Sequence, residues 1–516
     1  MKTKTLIFAL FTGITISSCS DFLTQLPETS VPKENFYKTE ADFAQANIGI
    51  YQMLRSIYGA GAANYGSWMM GEMRSDNTTY LYNLENRGYA DREYVALFTD
   101  DANGGAVSNK YNNTYYMIQR ANQVIQYIEE ANISESAYRN YKGQALFLRA
   151  LGYFDLVQYF GGVPLITVAP TSYGQTMVPR NTVEEVYNQI ITDATEAANI
   201  LPPVTEQQKG YASQGSAYTL LGNVYIVLKR WAEAETALKK VTGYTLLDDY
   251  ASIYDPNNKN HAESIFEIQY WDDQAAGQQS DFAYNFLPIL SNPGLIEGFP
   301  DGNTNNYAGW NIPTPEMIAA YEPGDKRKEA SIGFFTGDPA HNYIDFPYVK
   351  KYVHGAVQAG YCNDNWPVYR YAEVLLFLAE ALNEQGKPEA LSYLNQVHAH
   401  PRTGLAPITT TNQTELRELI QQERRIELAF ENKRWLDLVR TGKAIEVMTE
   451  FGKRFKADPT KYYYPKNVFP AAEAFTVTTE RLLFPIPQRE IRLNPDIMIQ
   501  NPGYSVSYYT SDAADE

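Results

Sequence analysis

The chain has 516 residues, of which 44% are hydrophobic and 20% charged, a composition that excludes a chain disordered throughout. It carries 43 Lys and Arg against 60 Asp and Glu, a formal net charge of −17, so it lacks the basic excess that binding to nucleic acid or to an anionic membrane surface requires. The 41 tyrosines bring the aromatic content to 14% and indicate amphipathic contact surface in addition to a core.

The N-terminus has the pattern of an export signal. Two lysines precede an apolar stretch from Leu6 to Ile16, which is too short to span a bilayer. Two serines then precede Cys19, and small residues before a cysteine at this place are typical of the bacterial lipobox, in which the cysteine becomes the acylated N-terminus. The alternative is an ordinary signal peptide cut near the same place. We predict a lipoprotein signal peptide over residues 1–18, lipidation of Cys19 and a tether over residues 19–37.

The second cysteine is Cys362. If Cys19 carries lipid, Cys362 has no disulfide partner, and an exported protein without a disulfide depends on its hydrophobic core for stability. We predict that residues 38–516 form a single domain.

Helical periodicity dominates that domain, with long irregular loops between the helices. A capping box formed by Thr39 and Asp42 begins the first helix, which runs to about Ser56. Its inward-facing residues are predicted to be Phe43, Ile48, Ile50 and Leu54. Further helices are predicted at 112–131, 135–160, 182–200, 212–229, 231–242, 368–385, 387–398, 414–431 and 434–448. Only Ser264–Tyr270 alternates as a strand does.

One pair of predicted helices matches the spacing of a tetratricopeptide repeat. That repeat needs an aromatic residue, Leu-Gly, a tyrosine and then a small alanine in the second helix, so that two antiparallel helices can pack closely. The matching residues are Tyr218, Leu221, Gly222, Tyr225 and Ala234, with Leu238 where a phenylalanine is usual. Residues 370–397 repeat the pattern loosely through Ala379, Gly386, Ala390 and Leu394. The predicted fold class is mostly α, with tetratricopeptide-like helix pairs forming a scaffold, long irregular loops and a few short strands.

Motifs for catalysis, metals and cofactors are weak. His398 and His400 are spaced i,i+2 at a helix end, which places them on different faces, and no HExxH or CxxC accompanies them. Residues 301–305 offer oxygen ligands, but the loop lacks the glycine and the final glutamate of a calcium-binding loop. No GxSxG is present, and nothing singles out a carboxylate pair for glycoside hydrolysis. We expect no enzymatic activity, no cofactor and no metal.

A charged run from Glu423 to Arg440 has the spacing of a structural element. Glu423 and Glu427 share one helix face, and Asp437 lies three residues before Arg440 on the next helix. Paired charges of this kind usually lock two helices together at a partly buried crossing, and we predict that role here and for Arg370 and Glu373.

This run, with several other motifs in order along the chain, resembles the SusD/RagB family. The helix pair near the family's C-terminus is represented by Arg424-Arg425-Ile426-Glu427-Leu428-Ala429-Phe430-Glu431 and Arg434-Trp435-Leu436-Asp437-Leu438-Val439-Arg440. Other matching motifs are the lipobox with Asp21-Phe22-Leu23, then Leu148-Arg149-Ala150, Phe160-Gly161-Gly162-Val163-Pro164-Leu165, Arg370-Tyr371-Ala372-Glu373, Pro485-Ile486-Pro487 and Gln500-Asn501-Pro502-Gly503-Tyr504. One departure is Val397-His398-Ala399-His400, where the family usually has a turn containing arginine.

The resemblance implies a lipoprotein anchored in the outer membrane at the cell surface. Such a protein binds a polysaccharide or oligosaccharide without catalysis and lids a SusC-like TonB-dependent transporter. Its fold is α-rich, with four tetratricopeptide-like helix pairs beneath a loop-built binding face. The alternatives are a helical scaffold for peptide or protein ligands and a secreted glycosidase. The acidic charge favours a neutral glycan over an anionic one.

Candidate carbohydrate contacts are loop residues that no helical period explains. Sugars lay their C–H patches on aromatic rings, and their hydroxyls bind polar side chains. The first loop block, about 58–110, offers Trp68, Asp76, Asn77, Tyr80 and Tyr82; the second, about 244–312, offers Trp271, Tyr284, Tyr307 and Trp310. Trp231, Trp366 and Trp435 lie within or against helical motifs and are predicted to be core residues.

Overall fold

The computed structural model describes residues 36–59, 65–84, 87, 90–272, 277–303, 308–358 and 360–505. The predicted signal peptide, Cys19 and residues 19–35 of the predicted tether lie outside the described residues, as does Tyr307.

Helices dominate the described residues, as predicted. They are α1 (Glu40–Tyr58), α2 (Ala90–Leu97), α3 (Gly105–Tyr127), α4 (Glu135–Phe160), α5 (Val183–Ile200), α6 (Gln214–Val227), α7 (Trp231–Leu238), α8 (Phe282–Asn285), α9 (Pro315–Ala320), α10 (Arg327–Ser331), α11 (Tyr371–Glu384), α12 (Glu389–His398), α13 (Gln413–Glu427), α14 (Arg434–Arg440), α15 (Ala444–Ala457) and α16 (Gln488–Leu493). The predicted capping box of α1 is confirmed, since Thr39 Oγ1 accepts from the Asp42 N–H and Asp42 accepts from the Thr39 N–H.

Strands in the described residues form four two-stranded antiparallel sheets. The pairs are β1 (Thr78–Thr79) with β3 (Ile312–Pro313), β2 (Ser264–Ile268) with β8 (Trp366–Arg370), β4 (Ile332–Gly337) with β5 (Tyr343–Val349), and β6 (Ala356–Gln358) with β7 (Tyr361–Cys362). The strand predicted from the alternation after Ser264 is confirmed as β2. The mostly α fold class with a few short strands is confirmed as well.

Three local predictions are wrong. The single helix predicted over 434–448 is two helices, because Gly442 has φ +74 between α14 and α15 and a helix cannot continue through that conformation. Residues 368–370 belong to β8, and α11 begins at Tyr371. Ile48 is 53% exposed, because Asn47 takes the inward position on α1 and donates to the Phe43 carbonyl.

The tetratricopeptide-like packing is confirmed at α6 and α7. Gly222 faces the Leu238 side chain so closely that an added Cβ would collide with it, and Ala234 is fully buried. The looser pair, α11 and α12, buries Ala379, Ala390 and Leu394. Small residues therefore set the close approach of the helices, as the spacing predicted.

The core extends over nearly the whole described chain, from Phe43 to Met498. Trp366 and Trp435 are almost fully buried, and Trp231 is half-buried against the same core, so the predicted core tryptophans are confirmed. Cys362 is buried, and burial raises the pKa of its thiol. Among the described residues no helix combines the length and apolarity that crossing a membrane would need.

The charged run lies on α13 and α14, where neighbouring residues contact different parts of the fold. Arg424 binds Glu373 at 3.2 Å and Asp437 at 3.0 Å, whereas Arg425 binds Asp76 at 2.9 Å. Glu427, one turn on, meets three arginines. The prediction that this run ties elements together is confirmed, and the pairs are more deeply buried than expected.

Glu427 belongs to a buried ionic network that joins the second half of the chain. Its cations are Arg327, Arg370, Arg402 and Lys351, and its carboxylates are Asp325, Glu263, Glu423, Glu427 and Glu431. His398 Nδ1 lies 2.8 Å from Glu423 Oε2. The five carboxylates therefore face four cations, and protonation of His398 would balance the charge.

Stability should fall with rising pH because of His398. Burial disfavours its imidazolium, but the hydrogen bond and the charge of Glu423 outweigh burial and raise the pKa above the ordinary value, with Glu322 adding to the rise and Arg327 opposing it. The folded-state pKa exceeds the unfolded one, so the stabilisation is complete below about 6.5 and is lost as the pH rises through the raised value. Denaturant unfolding of wild type across this range measures the loss. His398→Asn should flatten the slope, and an unchanged slope would contradict the assignment.

Candidate functional site

The two loop blocks that supplied the candidate site residues meet in space. Strands β1 and β3 pair Thr78 with Pro313 and Thr79 with Ile312. The Leu81 N–H donates to the Gly309 carbonyl at 2.7 Å, which continues the contact past the strand ends. Residues more than 200 positions apart are therefore held side by side.

Aromatic rings from both blocks form a cluster at this junction. The rings of Tyr80 and Trp310 lie 5.9 Å apart, the Tyr80 and Tyr464 hydroxyls hydrogen-bond, and the rings of Tyr82 and Tyr464 lie 4.7 Å apart. Tyr65 belongs to the same cluster, because the Arg92 guanidinium lies 5.1 Å from its ring and 5.5 Å from the Trp310 ring. We call these five rings the aromatic cluster. Tyr80, Trp310 and Tyr464 are buried, whereas Tyr65 and Tyr82 are half-buried and bring the cluster to the surface.

A guanidinium covers part of that surface. The Arg87 guanidinium lies 4.1 Å from the Tyr82 ring centroid, and both of its terminal nitrogens donate to Glu93, at 2.6 and 2.7 Å. A cation above a tyrosine face is attracted by the ring's electrons, and the bidentate pair fixes its position. The surface thus combines flat rings with fixed polar groups.

Trp271 is the most exposed aromatic among the candidate residues that the structure describes, with 57% of its surface accessible. The Lys259 ammonium lies 5.2 Å from its ring centroid and donates to the Tyr270 carbonyl at 2.7 Å and to Asn363 Oδ1 at 2.5 Å. Burial lowers the pKa of Lys259 to about 8, so most of it is still protonated at neutral pH. The lysine therefore supports the ring while leaving much of it open to solvent.

Trp271 and the aromatic cluster are connected through Gly59 and Gly66. The Tyr270 hydroxyl donates to the Gly59 carbonyl at 3.0 Å. Gly59 in turn packs against Gly66, since an added Cβ would lie 3.3 Å from the Gly66 Cα, and Tyr65 precedes Gly66. The contact between Gly59 and Gly66 thus connects the neighbourhood of Trp271 to that of Tyr65.

The remaining candidates lie beneath this surface. Trp68 is 2% exposed and packs edge-on to Phe286 at 5.0 Å, and Tyr284 is buried against Phe299 at 4.8 Å. In this arrangement both rings support the loops from inside. As carbohydrate contacts, all of the candidates stay predictions.

Asp76 and Asn77 have protein partners. Asp76 binds Arg425 and Arg434, at 2.9 and 2.8 Å; burial would raise its pKa, but the two guanidiniums outweigh burial and hold the pKa below the usual range. Asn77 donates to Glu72 at 2.9 Å and accepts from Arg425 at 2.8 Å. These two side chains anchor the first loop block to α13 and α14.

Several residues at this surface were missed from the sequence. Tyr65, Arg87, Arg92 and Lys259 have no local signature, because their roles depend on rings contributed by distant segments. The tyrosine run 462–464 follows the last helix of the charged region and lies outside any helical periodicity. An aromatic run outside helical periodicity is the signal that would have found Tyr464.

Two further cavities lie elsewhere. One of about 220 Å³ lies between α3 and the α16 region and is lined chiefly by apolar groups, including Tyr111, Tyr115, Ile166 and Met498. Another, of about 60 Å³, lies within the helical scaffold beside Glu373 and Lys433. In the described part of the chain no three His, Cys, Asp or Glu side chains are grouped as metal ligands would be.

The fold and the surface together define a helical scaffold protein with a loop-built aromatic face. Sequence comparison gives the family. A model of the SusD family matches residues 336–504, and a model described as starch-binding, associating with the outer membrane, matches residues 21–226. SusD-like protein P2 of Formosa agariphila is 29% identical over 95% of this chain and 98% of its own length. The chain belongs to the SusD family.

Solved structures agree. A laminarin-binding SusD-like protein is 27% identical, with a TM-score of 0.73 over 91% of this chain and 100% of its own. A SusD superfamily protein from Parabacteroides distasonis is 25% identical, with a TM-score of 0.74 over 90% of this chain and 99% of its own. The resemblance predicted from the motifs is therefore confirmed.

Proposed function

We propose that this protein is a cell-surface lipoprotein that captures a polysaccharide or oligosaccharide and delivers it, uncleaved, to a SusC-like TonB-dependent transporter. The observation that carries the proposal is the exposed Trp271 ring, supported by Lys259 and adjoining the aromatic cluster. An exposed ring held in place by a fixed lysine, together with a cluster of further rings, is the kind of surface on which a flat ligand can stack.

The chemistry of the surface suits a carbohydrate. A sugar ring stacks on a flat aromatic face, and we expect each such contact to contribute about 1 kcal/mol, comparable to an aromatic pair. Several weak contacts give an affinity that still allows release into a channel. The rings of Trp271, Tyr65 and Tyr82 supply the stacking faces, and the neighbouring Arg87 and Lys259 supply donors for hydroxyls.

Relatives guide the choice of ligand. One is named for binding laminarin, and the matching family model is described as starch-binding. The net charge of −17 favours a neutral glycan, because an anionic chain would be repelled within a Debye length of about 10 Å. We propose laminarin and starch as the first ligands to examine.

The anchor belongs to the same proposal. Acylation of Cys19 would tether the domain to the outer membrane, since several acyl chains anchor a protein stably. Replacement Cys19→Ser should move the protein from the membrane fraction to the soluble fraction. Retention in the membrane would contradict lipidation at this cysteine.

A panel of polysaccharides tests the binding role. Native gels containing laminarin, starch or an anionic polysaccharide should show retardation of the purified protein by at least one neutral glycan. Chromatography of the glycan afterwards should show unchanged chain length. Binding of a peptide and of no glycan would favour the scaffold alternative, and release of reducing ends would favour a glycosidase.

A further inference from the structure

A narrow cleft of about 90 Å³ lies next to Trp271, between the 204–213 segment and the outer side of β2. Its lining combines apolar groups with the polar side chains of Gln208, Lys209, Asn260 and Glu267. None of these residues was singled out from the sequence, and the aromatic cluster does not include them.

Lys259 and Asn260 connect this cleft to Trp271. The Lys259 ammonium lies 5.2 Å from the Trp271 ring centroid, and the next residue, Asn260, lines the cleft. Gln269, two residues before Trp271, accepts a hydrogen bond from Asn260 at 2.8 Å, and an added Cβ on Gly210 at the cleft wall would lie 3.2 Å from the Gln269 side chain. The cleft and the exposed ring are therefore neighbours.

Amide side chains fix the position of Glu267 at the wall of the cleft. Asn260 and Gln269 exchange two hydrogen bonds, at 2.8 and 3.0 Å. Asn365 Nδ2 donates to both Gln269 Oε1 and Glu267 Oε2, at 3.1 and 2.8 Å, and its Oδ1 accepts from the Tyr270 N–H at 2.9 Å. These amides are therefore largely occupied with one another, and their effect is to fix Glu267.

One oxygen of Glu267 is left over. The residue is 6% exposed, and its Oε2 accepts from Asn260 N and Asn365 Nδ2, whereas within the described residues Oε1 accepts no hydrogen bond. His261 Nε2 lies 3.7 Å from Oε1, but its Nδ1 accepts from Glu263 N, which places the ring proton on Nε2 towards the Ile253 carbonyl at 3.1 Å. A fixed carboxylate oxygen thus has unused acceptor capacity at the wall of a cleft, where a ligand hydroxyl can donate to it.

We propose that this cleft is a second sugar subsite beside the exposed Trp271 ring. It binds a neutral, hydroxylated unit of the same glycan whose neighbouring unit stacks on Trp271. A sugar hydroxyl would donate to Glu267 Oε1 and could accept from the second amide hydrogen of Asn260, which makes only one of its two possible bonds. Glu267 disfavours an anion, and Lys209 at the rim disfavours a cation. This inference rests on the proposed glycan-binding function.

The length of the oligosaccharide distinguishes binding at the cleft from binding at Trp271 alone. Calorimetric titration with laminari-oligosaccharides of two to six units, and with the corresponding malto-oligosaccharides, is compared for wild type and Glu267→Gln. The hexasaccharide should bind the variant about tenfold more weakly, because a charged hydrogen bond is lost, while the disaccharide changes less than about twofold. Glu233→Gln, an exposed glutamate on α7, is the matched control and should change neither.

Thermal unfolding would show whether Glu267→Gln still folds. If it does not, a second variant tests the cleft. Gln208 is exposed at the cleft mouth, so Gln208→Cys labelled with a bulky maleimide should block the cleft without touching the core. Labelling should abolish the advantage of hexasaccharide over disaccharide, with maleimide-treated wild type as the control. If wild type binds these sugars and both variants keep the full length dependence, the subsite is wrong and the proposed function stands. If wild type binds neither series, both are contradicted.

Discussion

Replacement Arg370→Ala should lower the free energy of unfolding by about 3–5 kcal/mol, the cost of breaking a buried ion pair from one side. Arg370 binds Glu263 at 2.6 Å, Glu427 at 3.0 Å and Glu431 at 2.9 Å, and also donates to the Glu427 carbonyl. Burial would raise the pKa of Glu431, but Arg370 and Lys351 outweigh burial and hold the pKa at about 2, so this carboxylate stays charged. Without Arg370, three buried carboxylates lose a counterion together.

Guanidinium unfolding monitored by circular dichroism measures this effect. Lys453→Ala is the matched control, because its pair with Glu450 is exposed and should contribute no more than about 1 kcal/mol. A loss for Arg370→Ala as small as that of the control would show that the network does not hold β8 to α13.

Replacement Trp271→Ala should weaken glycan binding about fivefold while leaving the unfolding midpoint nearly unchanged. The ring is the largest exposed stacking surface among the candidates, so its loss removes a sugar contact and very little core packing. Affinity electrophoresis in the retarding polysaccharide, followed by calorimetry, measures the change.

The matched control is Tyr116→Ala. Tyr116 is also an exposed aromatic, 52% accessible, but it lies at the apolar cavity near α3. Its removal should not alter glycan affinity. A large effect at Tyr116 with none at Trp271 would move the binding site to that cavity.

Local patterns in the sequence predicted the scaffold well. Capping residues and helical periodicity depend on neighbours within one or two turns, so α1 begins and α4 begins and ends where predicted. The spacing of the small residues Gly222 and Ala234 depends on a contact between two consecutive helices, so the sequence predicted that contact as well.

The binding face was harder to predict, because exposure is decided by distant segments. Trp68 and Trp271 look alike in the sequence, as loop tryptophans without helical period. Trp68 is covered by Phe286, whereas the Trp271 ring is supported by a lysine and stays 57% exposed. The β1–β3 pairing that buries Tyr80 against Trp310 joins positions more than 200 residues apart, and one sequence does not reveal such a pairing.

The same limit applied to the charged run. Its helical spacing indicated a structural role correctly, and Arg370 was predicted to share that role. The partners Lys351 and Arg402 come from segments with no matching local pattern. Charge balance around His398 became visible only once all of these groups were placed together.

The position of a bound oligosaccharide tests the account most directly. A crystal structure of the complex with laminarihexaose, or with a hexasaccharide of whichever neutral glycan retards the protein, should show an intact chain with one sugar ring stacked on Trp271. Ordered sugar only in the apolar cavity beside Tyr111, with Trp271 bare, would contradict the account.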